Sequence, residues 1–203
     1  MKFMKALSAI MVAALLGAVA VDVSARPRAR VKKADTLPNF ISFSGKIKEI
    51  RSPETENAGY KEMILVQNDE GAEMAFRITD DTFFVTDKKA EIGADIIGFY
   101  DGKLPMILIY PPQPEAVVIA VGLEEGKFIK VDRFNKKLLS EDRQLKLNIG
   151  PNTEIILQNG EKFCGDLTGR ALVVLYSVTT RSIPPQTTPE KIVVLFERAV
   201  PSR

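Results

Sequence analysis

The sequence predicts an all-β protein built as two tandem, related β modules behind a signal peptide and a basic arm. Three observations lead there. A set of phrases recurs in the same order about 75 residues apart. Apolar residues arrive in short runs rich in β-branched and aromatic types, separated by Gly, Pro, Asn and Asp turns. No stretch of ten or more residues carries the 3.6-residue period of an amphipathic helix.

The repeat is the stronger observation. Tyr110-Pro111-Pro112-Gln113 leads into Pro114-Glu115-Ala116-Val117-Val118-Ile119, and Ile183-Pro184-Pro185-Gln186 leads into Pro189-Glu190-Lys191-Ile192-Val193-Val194. Upstream, Phe76-Arg77-Ile78 with Thr82 answers to Leu147-Asn148-Ile149 with Thr153, and residues 93–100 align with 169–176, both ending in Tyr. The second copy lacks three residues between its Tyr and its Pro-Pro-Gln. A unit of this length exceeds one solenoid repeat and suits a small domain. We therefore expect module 1 at residues 40–121 and module 2 at 126–198, joined at Gly122 to Gly126. A domain of about 75 residues buries only about 60–65% of its unfolded surface, so the copies are expected to pack together or be completed by their linker.

The elements follow in order. Residues 40–50 nearly alternate apolar and polar, as a half-buried strand does. The polar stretch 52–59 is a loop. Residues 63–66 and 74–78 flank Asn68-Asp69-Glu70-Gly71 and predict a hairpin. Phe83-Phe84-Val85 is a short apolar run, and 96–100, 106–110 and 117–121 are further strands, with Asp101-Gly102 turning between the first two. In the second copy, Phe128-Ile129-Lys130-Val131 opens the set and a turn at Asn135-Lys136-Lys137 leads to Leu138-Leu139. Leu145, Leu147 and Ile149 alternate with Gln144, Lys146 and Asn148, predicting one apolar face. Residues 153–157 reach a turn at Asn159-Gly160, and 172–176 and 192–196 complete the count. Five to six strands per copy suit a small barrel, OB-like in strand number, which closes its own edges; one sheet layer per copy in an open sandwich is the alternative. A shared fold of this type carries no function with it.

The address is written in residues 1–25. Lys2 and Lys5 precede an apolar run at 6–21, and Val23-Ser24-Ala25 offers the small residues of a cleavage site. The run falls short of the roughly 20 residues a spanning helix needs, and no later stretch is long and apolar enough to cross a membrane. The expected product is exported, extracytoplasmic and without a transmembrane helix. Its first residues, 26–39, form a basic flexible arm carrying Arg26, Arg28, Arg30, Lys32 and Lys33. Of 28 basic residues seven lie before residue 34, and of 26 acidic residues one does, which leaves 21 against 25 beyond it. The arm reads either as a solvated linker or as an electrostatic tether to an anionic envelope polymer or lipid surface, at about 1 kcal/mol per charge near such a surface. Nucleic acid is the poorest partner for an exported chain with an acidic body.

Composition excludes much chemistry. The chain has no histidine and one cysteine, so Ser–His and Cys–His nucleophilic systems are ruled out, as are zinc and copper sites of the usual kind. Cys164 has no partner for an internal disulfide and reads as a small, partly buried apolar residue. Asp80-Asp81, Asp69-Glu70-Glu73 and Glu141-Asp142 are the carboxylate groups open to glycosidase or calcium chemistry, and each falls in a turn, where local hydrogen bonding accounts for it. We expect no catalytic residue, cofactor or metal. The binding candidates are Tyr110, Pro111, Pro112, Gln113, Arg181, Pro184, Pro185 and Gln186. Paired prolines impose an extended stretch that cannot donate to a sheet and so lies at an edge or over a mouth. It reads as a rigid crossover into the last strand, or as a ledge for a partner, with Tyr100 and Tyr176 as stacking groups and the hydroxyls of residues 179–182 facing a polar ligand.

The stretch 98–113, with its counterpart 179–186, resembles a duplicated β module of exported envelope proteins of clostridia and their relatives. The resemblance covers residues 40–197 and implies location and architecture, with no activity attached. The expected function is a non-catalytic, envelope-associated protein that binds a wall polymer, glycan or protein partner. A purely structural or assembly factor and a carboxylate-only enzyme acting on envelope carbohydrate are the alternatives.

Overall fold

The computed structural model describes residues 39–55, 58–106 and 109–197. The signal segment and the arm's five cations lie outside these residues. Among the described residues there are twelve strands and no helix. The first half holds β1 (Phe40–Arg51), β2 (Glu62–Gln67), β3 (Glu73–Ile78), β4 (Phe83–Phe84), β5 (Asp95–Asp101) and β6 (Ala116–Val121) in one sheet of order β3-β2-β1-β5-β6-β4. The second half holds β7 (Phe128–Arg133), β8 (Lys146–Leu147), β9 (Glu154–Leu157), β10 (Ala171–Tyr176), β11 (Gln186–Thr187) and β12 (Lys191–Val194). These form a four-stranded sheet, β7-β10-β12-β9, and the pair β11-β8. The strand pairings are those of open sheets; no closed barrel is among them.

The repeat is repeated in hydrogen bonds. β1 and β5 pair antiparallel as β7 and β10 do, and β4 lies parallel to β6 as β9 does to β12. Ile47 N–H donates to Ala94 O and accepts Gly93 N–H on its own carbonyl; Phe134 does the same with Arg170 and Gly169. Thr82 Oγ1 donates to Ala116 O at 2.8 Å and accepts from Thr79 N–H, and Thr153 Oγ1 donates to Pro189 O at 2.8 Å and accepts from Gly150 N–H. These bonds correct one detail of the alignment. Pro112 O accepts from Ala75 N–H as Pro185 O does from Lys146, and Pro114 O from Arg77 N–H as Thr187 O does from Asn148. The copies therefore run without a gap from Pro-Pro-Gln onward, Ala116 matches Pro189, and the two Pro-Glu dipeptides are two residues out of register.

Two other expectations change. The described residues of the 106–110 stretch, Met106, Ile109 and Tyr110, are exposed and belong to no strand, because Pro105 and Pro111-Pro112 bracket the stretch with residues that lack an N–H. The strand expected at 144–149 contracts to β8: Leu145 and Leu147 are buried as the alternation requires, whereas Ile149 is 41% exposed beyond the pairing.

Each half has its own apolar cluster, around Ile47, Phe76 and Ile119 in the first and Phe134, Leu147 and Ile192 in the second. A third cluster draws on both: Phe99 and Val118 join Val131, Val173 and Val193. The central strands are thus covered on both faces, which is why all six residues of β6 are buried and why it reads as an unbroken apolar run.

Candidate functional site

The two Pro-Pro-Gln corners are built alike. Tyr110-Pro111 and Ile183-Pro184 are both cis. Pro111, Pro112 and Gln113 are half-buried, as are Pro184, Pro185 and Gln186, and the chain after each corner runs beside β3 or β8. That is the crossover half of the expectation. The residue before each corner projects: Tyr110 is 73% and Ile183 99% exposed. On the neighbouring strand, Ile41 opposite Tyr100 and Phe128 opposite Tyr176 are exposed at equivalent positions.

Around these shared features the corners diverge. In the second, the hydroxyls of Thr180 and Ser182 serve the loop itself. Thr180 Oγ1 accepts from Gln186 N–H and meets Ser182 Oγ at 2.7 Å, and Ser182 Oγ donates to Pro184 O. Gln186 Oε1 accepts from Asn148 Nδ2 at 3.2 Å. The expected polar ledge is therefore largely self-satisfied, leaving exposed Arg181, Val178 and Ile183. Tyr176 stacks on Phe128 with ring centroids 5.6 Å apart, whereas Tyr100 is buried in the first core, 6.4 Å from Phe76. Burial raises the hydroxyl pKa of both tyrosines. Tyr176 is thus the one of the two tyrosines within an aromatic surface.

In the first corner, where the sequence is three residues longer, Leu104 and Met106 are exposed. Behind it lies a cavity of about 190 Å³ lined by Arg77, Tyr100, Asp101, Leu104, Met106 and Glu115, with Pro105 and Pro114. In the sequence Arg77 stands out only as part of the Phe76-Arg77-Ile78 repeat phrase, and the three-residue difference in spacing is what sets this corner apart.

A larger groove of about 560 Å³ lies between Ser44 to Lys46, Asn68 to Glu70 and the junction at 123–127. Its carboxylates, Asp69, Glu70, Asp95, Glu124 and Glu125, outnumber Lys46 and Lys127. Both lysines are engaged, Lys46 with Asp95 at 2.7 Å and Lys127 with Glu190 at 2.5 Å. The groove has the wrong sign for an anionic polymer.

The carboxylate pair that the fold does assemble is Asp132 with Asp142, and Asp132 was not among the sequence candidates. Lys130 is ion-paired to Asp142 and lies 3.9 Å from Asp132. Burial pushes the Asp132 carboxyl up, against the pull of Arg133 and Asp142 backbone N–H groups. Burial acts upward on Asp142 too, but Lys130 and the Ser140 hydroxyl outweigh it and hold that carboxyl below the usual carboxylate range. Paired acids with opposed shifts are what acid–base catalysis uses. Here, however, the acceptors serve the 140–145 turn, through Asp142, Gln144 and Ser140. Replacing Lys130 with methionine leaves two facing carboxylates without their cation. The expected cost at pH 7 is about 1–2 kcal/mol, between an exposed and a fully buried pair. Lys130 and Ser140 hold the folded Asp142 carboxyl below its unfolded value, so the Lys130 contribution is fully present above the unfolded carboxylate pKa and is lost as pH falls through the lower, folded one. Parent and variant melting curves should therefore converge once Asp142 is protonated in the folded state; a gap independent of pH would contradict the electrostatic account.

Asp80, Asp81, Asp69, Glu70, Glu73 and Glu141 stay in or beside their turns. Among the described residues no cluster of three or more His, Cys, Asp or Glu side chains forms a metal site, and no helix is long and apolar enough to cross a membrane. Cys164 is exposed rather than partly buried, because it sits in the loop beyond β9, outside all three clusters. No protein-family model matches this chain, and no curated protein matches it in sequence.

Proposed function

We propose that this is a non-catalytic exported envelope protein, made of two tandem OB-like modules, that binds a wall glycan or a protein partner of the envelope through its Pro-Pro-Gln corners. The order around the first half supports the module assignment. β1, β2 and β3 are followed by residues 112–115 beside β3, then β6, β5 and β1 again, and the bridge between Arg77 and Glu115 is parallel. The last strand parallel to the third is the path of a five-stranded OB-like barrel. The second half repeats it through the parallel pair β11-β8.

One observation carries the binding reading. Both corners hold a large apolar side chain in solvent just before half-buried prolines, Tyr110 in one and Ile183 in the other, with Ile41 or Phe128 exposed on the adjacent strand. Such surfaces, kept at the same place in two copies, mark interaction sites better than scattered apolar residues do. The absence of histidine and the structural use of Asp132 and Asp142 favour binding over a carboxylate-only enzyme.

Retention of the mature chain on isolated cell wall tests the reading. We expect it to survive high salt and deletion of residues 26–33, and to fall at least tenfold in the double variant Tyr110→Ser, Ile183→Ser. Retention abolished by salt or by the arm deletion assigns binding to Arg26, Arg28, Arg30, Lys32 and Lys33 instead. Full retention by the double variant overturns the corner reading.

A further inference from the structure

We propose that the open edge of β1, from Phe40 to Ser44, pairs with the same edge of a second copy of this chain, antiparallel about a two-fold axis at Ser42. Hydrogen-bond parity, the contrast between the two halves and the charge of the flanking surfaces point to this partner.

The parity fixes which backbone groups are open. β1 pairs with β5 without a break from Phe40 to Lys46. At one end of that ladder Asn39 O accepts Gly102 N–H, and just beyond the other Ile47 N–H donates to Ala94 O. Hydrogen-bonded and non-hydrogen-bonded pairs alternate along an antiparallel ladder, so Ile41, Phe43 and Gly45 bond to β5. The N–H and C=O groups of Phe40, Ser42 and Ser44 therefore point away from it. β2 takes that side only from Lys46 onward, and among the described residues no other strand pairs there. Ser42 and Ser44 are exposed.

The edge is bounded at both ends, which selects the register. Pro38 has no N–H to give, and β2 occupies the edge at Lys46. Pairing about Ser42 is the register that uses every open group. Ser42 faces Ser42 and Phe40 faces Ser44, each pair exchanging both backbone hydrogen bonds. Between them Ile41 meets Phe43 of the second copy in the closer, non-hydrogen-bonded arrangement. Ile41 is exposed and Phe43 half-buried, and aromatic and β-branched side chains favour each other across strands.

The second half shows the same edge guarded. Ile47 and Phe134 hold equivalent bonds, so residues 40–45 answer to 127–132. There Lys127, Lys130 and Asp132 are charged, whereas Phe40-Ile41-Ser42-Phe43-Ser44-Gly45 carries no charge. Charged side chains and prolines are what edge strands use to turn other strands away. The open stretch of β1 has neither.

Charge beyond the edge favours a second copy as the occupant. Antiparallel pairing directs the chain before Asn39 in each copy along Gly45 and Lys46 of the other. Those residues border the groove whose carboxylates, Asp69, Glu70, Asp95, Glu124 and Glu125, outnumber its lysines. Arg26, Arg28, Arg30, Lys32 and Lys33 precede Asn39 in sequence, and at about 3.3–3.6 Å per extended residue Lys33 stands within about 20 Å of it. The two-fold thus sends a cationic segment toward an anionic surface once in each direction.

Sedimentation equilibrium of the mature chain tests the proposal, and we expect a reversible dimer. Ser42→Pro removes the central outward N–H and leaves the β5 ladder whole, because an edge strand accommodates proline where its N–H faces solvent. This variant should keep the parent's circular dichroism and raise the dimer dissociation constant at least tenfold. Ser42→Lys and Ser42→Asp, at an exposed position, each set like charges face to face across the axis. Each alone should be monomeric, and an equimolar mixture of the two should restore the dimer. A parent that stays monomeric at about 100 μM overturns the proposal. So does self-association that Ser42→Pro leaves unchanged, or a mixture no more associated than either charged variant alone. Tyr110 and Ile183 are on neither paired edge, so this outcome is independent of wall retention through the corners.

Discussion

Replacing Gly45 with alanine is expected to destabilise the protein by about 3 kcal/mol or more, the upper range for overpacking a close-packed site. A Cβ at this position would run into Gln67 O and lie 2.6 Å from Gln67 C and 2.9 Å from Asn68 Cα. All three are backbone atoms, so no rotamer change gives way. Gly45 stands where β1, paired with β5, begins also to pair with β2, at Lys46 opposite Gln67. The alanine must push the two strands apart at the point where the hairpin crosses. For a chain of this size the loss corresponds to a melting temperature lower by about 6–12 °C. A variant melting within about 2 °C of the parent would show that the crossing is looser than described. The second copy carries Asp132 at this position. There the approaching backbone is the turn after β7, and the carboxylate accepts its Asp142 N–H. One copy meets the crossing with an absent side chain, the other with a buried acceptor.

Gly98→Val should cost about 2–3 kcal/mol alone and much less when combined with Phe76→Leu. A Cβ on Gly98 would collide with the Phe76 ring, 2.5 Å from Cε2 and 2.8 Å from Cε1, and Phe76 is fully buried. The equivalent pair in the second copy is Val174 with Leu147, both buried in the second core. The two copies thus fill the same layer with different shapes, a ring over a glycine or two branched aliphatics. Phe76→Leu by itself leaves a void and should cost about 1–2 kcal/mol. The double variant should return to within about 1 kcal/mol of the parent, a coupling of about 2–3 kcal/mol in a double-mutant cycle by chemical denaturation. Additive costs would mean that the two cores are not equivalent at this layer, and would weaken the case for duplicated modules.

Much of the framework is legible residue by residue. The alternation at 40–50, the Asn68–Gly71 hairpin and the apolar run at 117–121 become β1, the β2-β3 turn and β6. The matches of Thr82 with Thr153 and of Tyr100 with Tyr176 hold to the hydrogen bond. At 106–110 apolar content suggests a strand, but Pro105 and Pro111-Pro112 flank the stretch and its described residues Met106, Ile109 and Tyr110 join no ladder. The Pro-Glu dipeptides match in letters but not in spacing, and the hydrogen bonds follow the spacing. The hydroxyls of Thr180 and Ser182, close in sequence to acceptors of their own loop, turn back on it instead of facing a ligand.

What the sequence determined by itself is therefore local and periodic: strand content, turn positions, the existence of two copies, the absence of imidazole chemistry and the expectation of export. Each follows from residue types at short separation, where sterics and the period of a pleated strand leave few choices. What only the tertiary structure decided is which distant side chains share a space. Arg77, Tyr100, Asp101 and Glu115 come from separate segments and meet only when the chain after the first corner lies down beside β3. The burial of Asp132, like the steric conflict at Gly45, depends on the route of a neighbouring backbone. Burial and pairing depend on what lies opposite, and the chain alone does not specify that until the sheets are assembled.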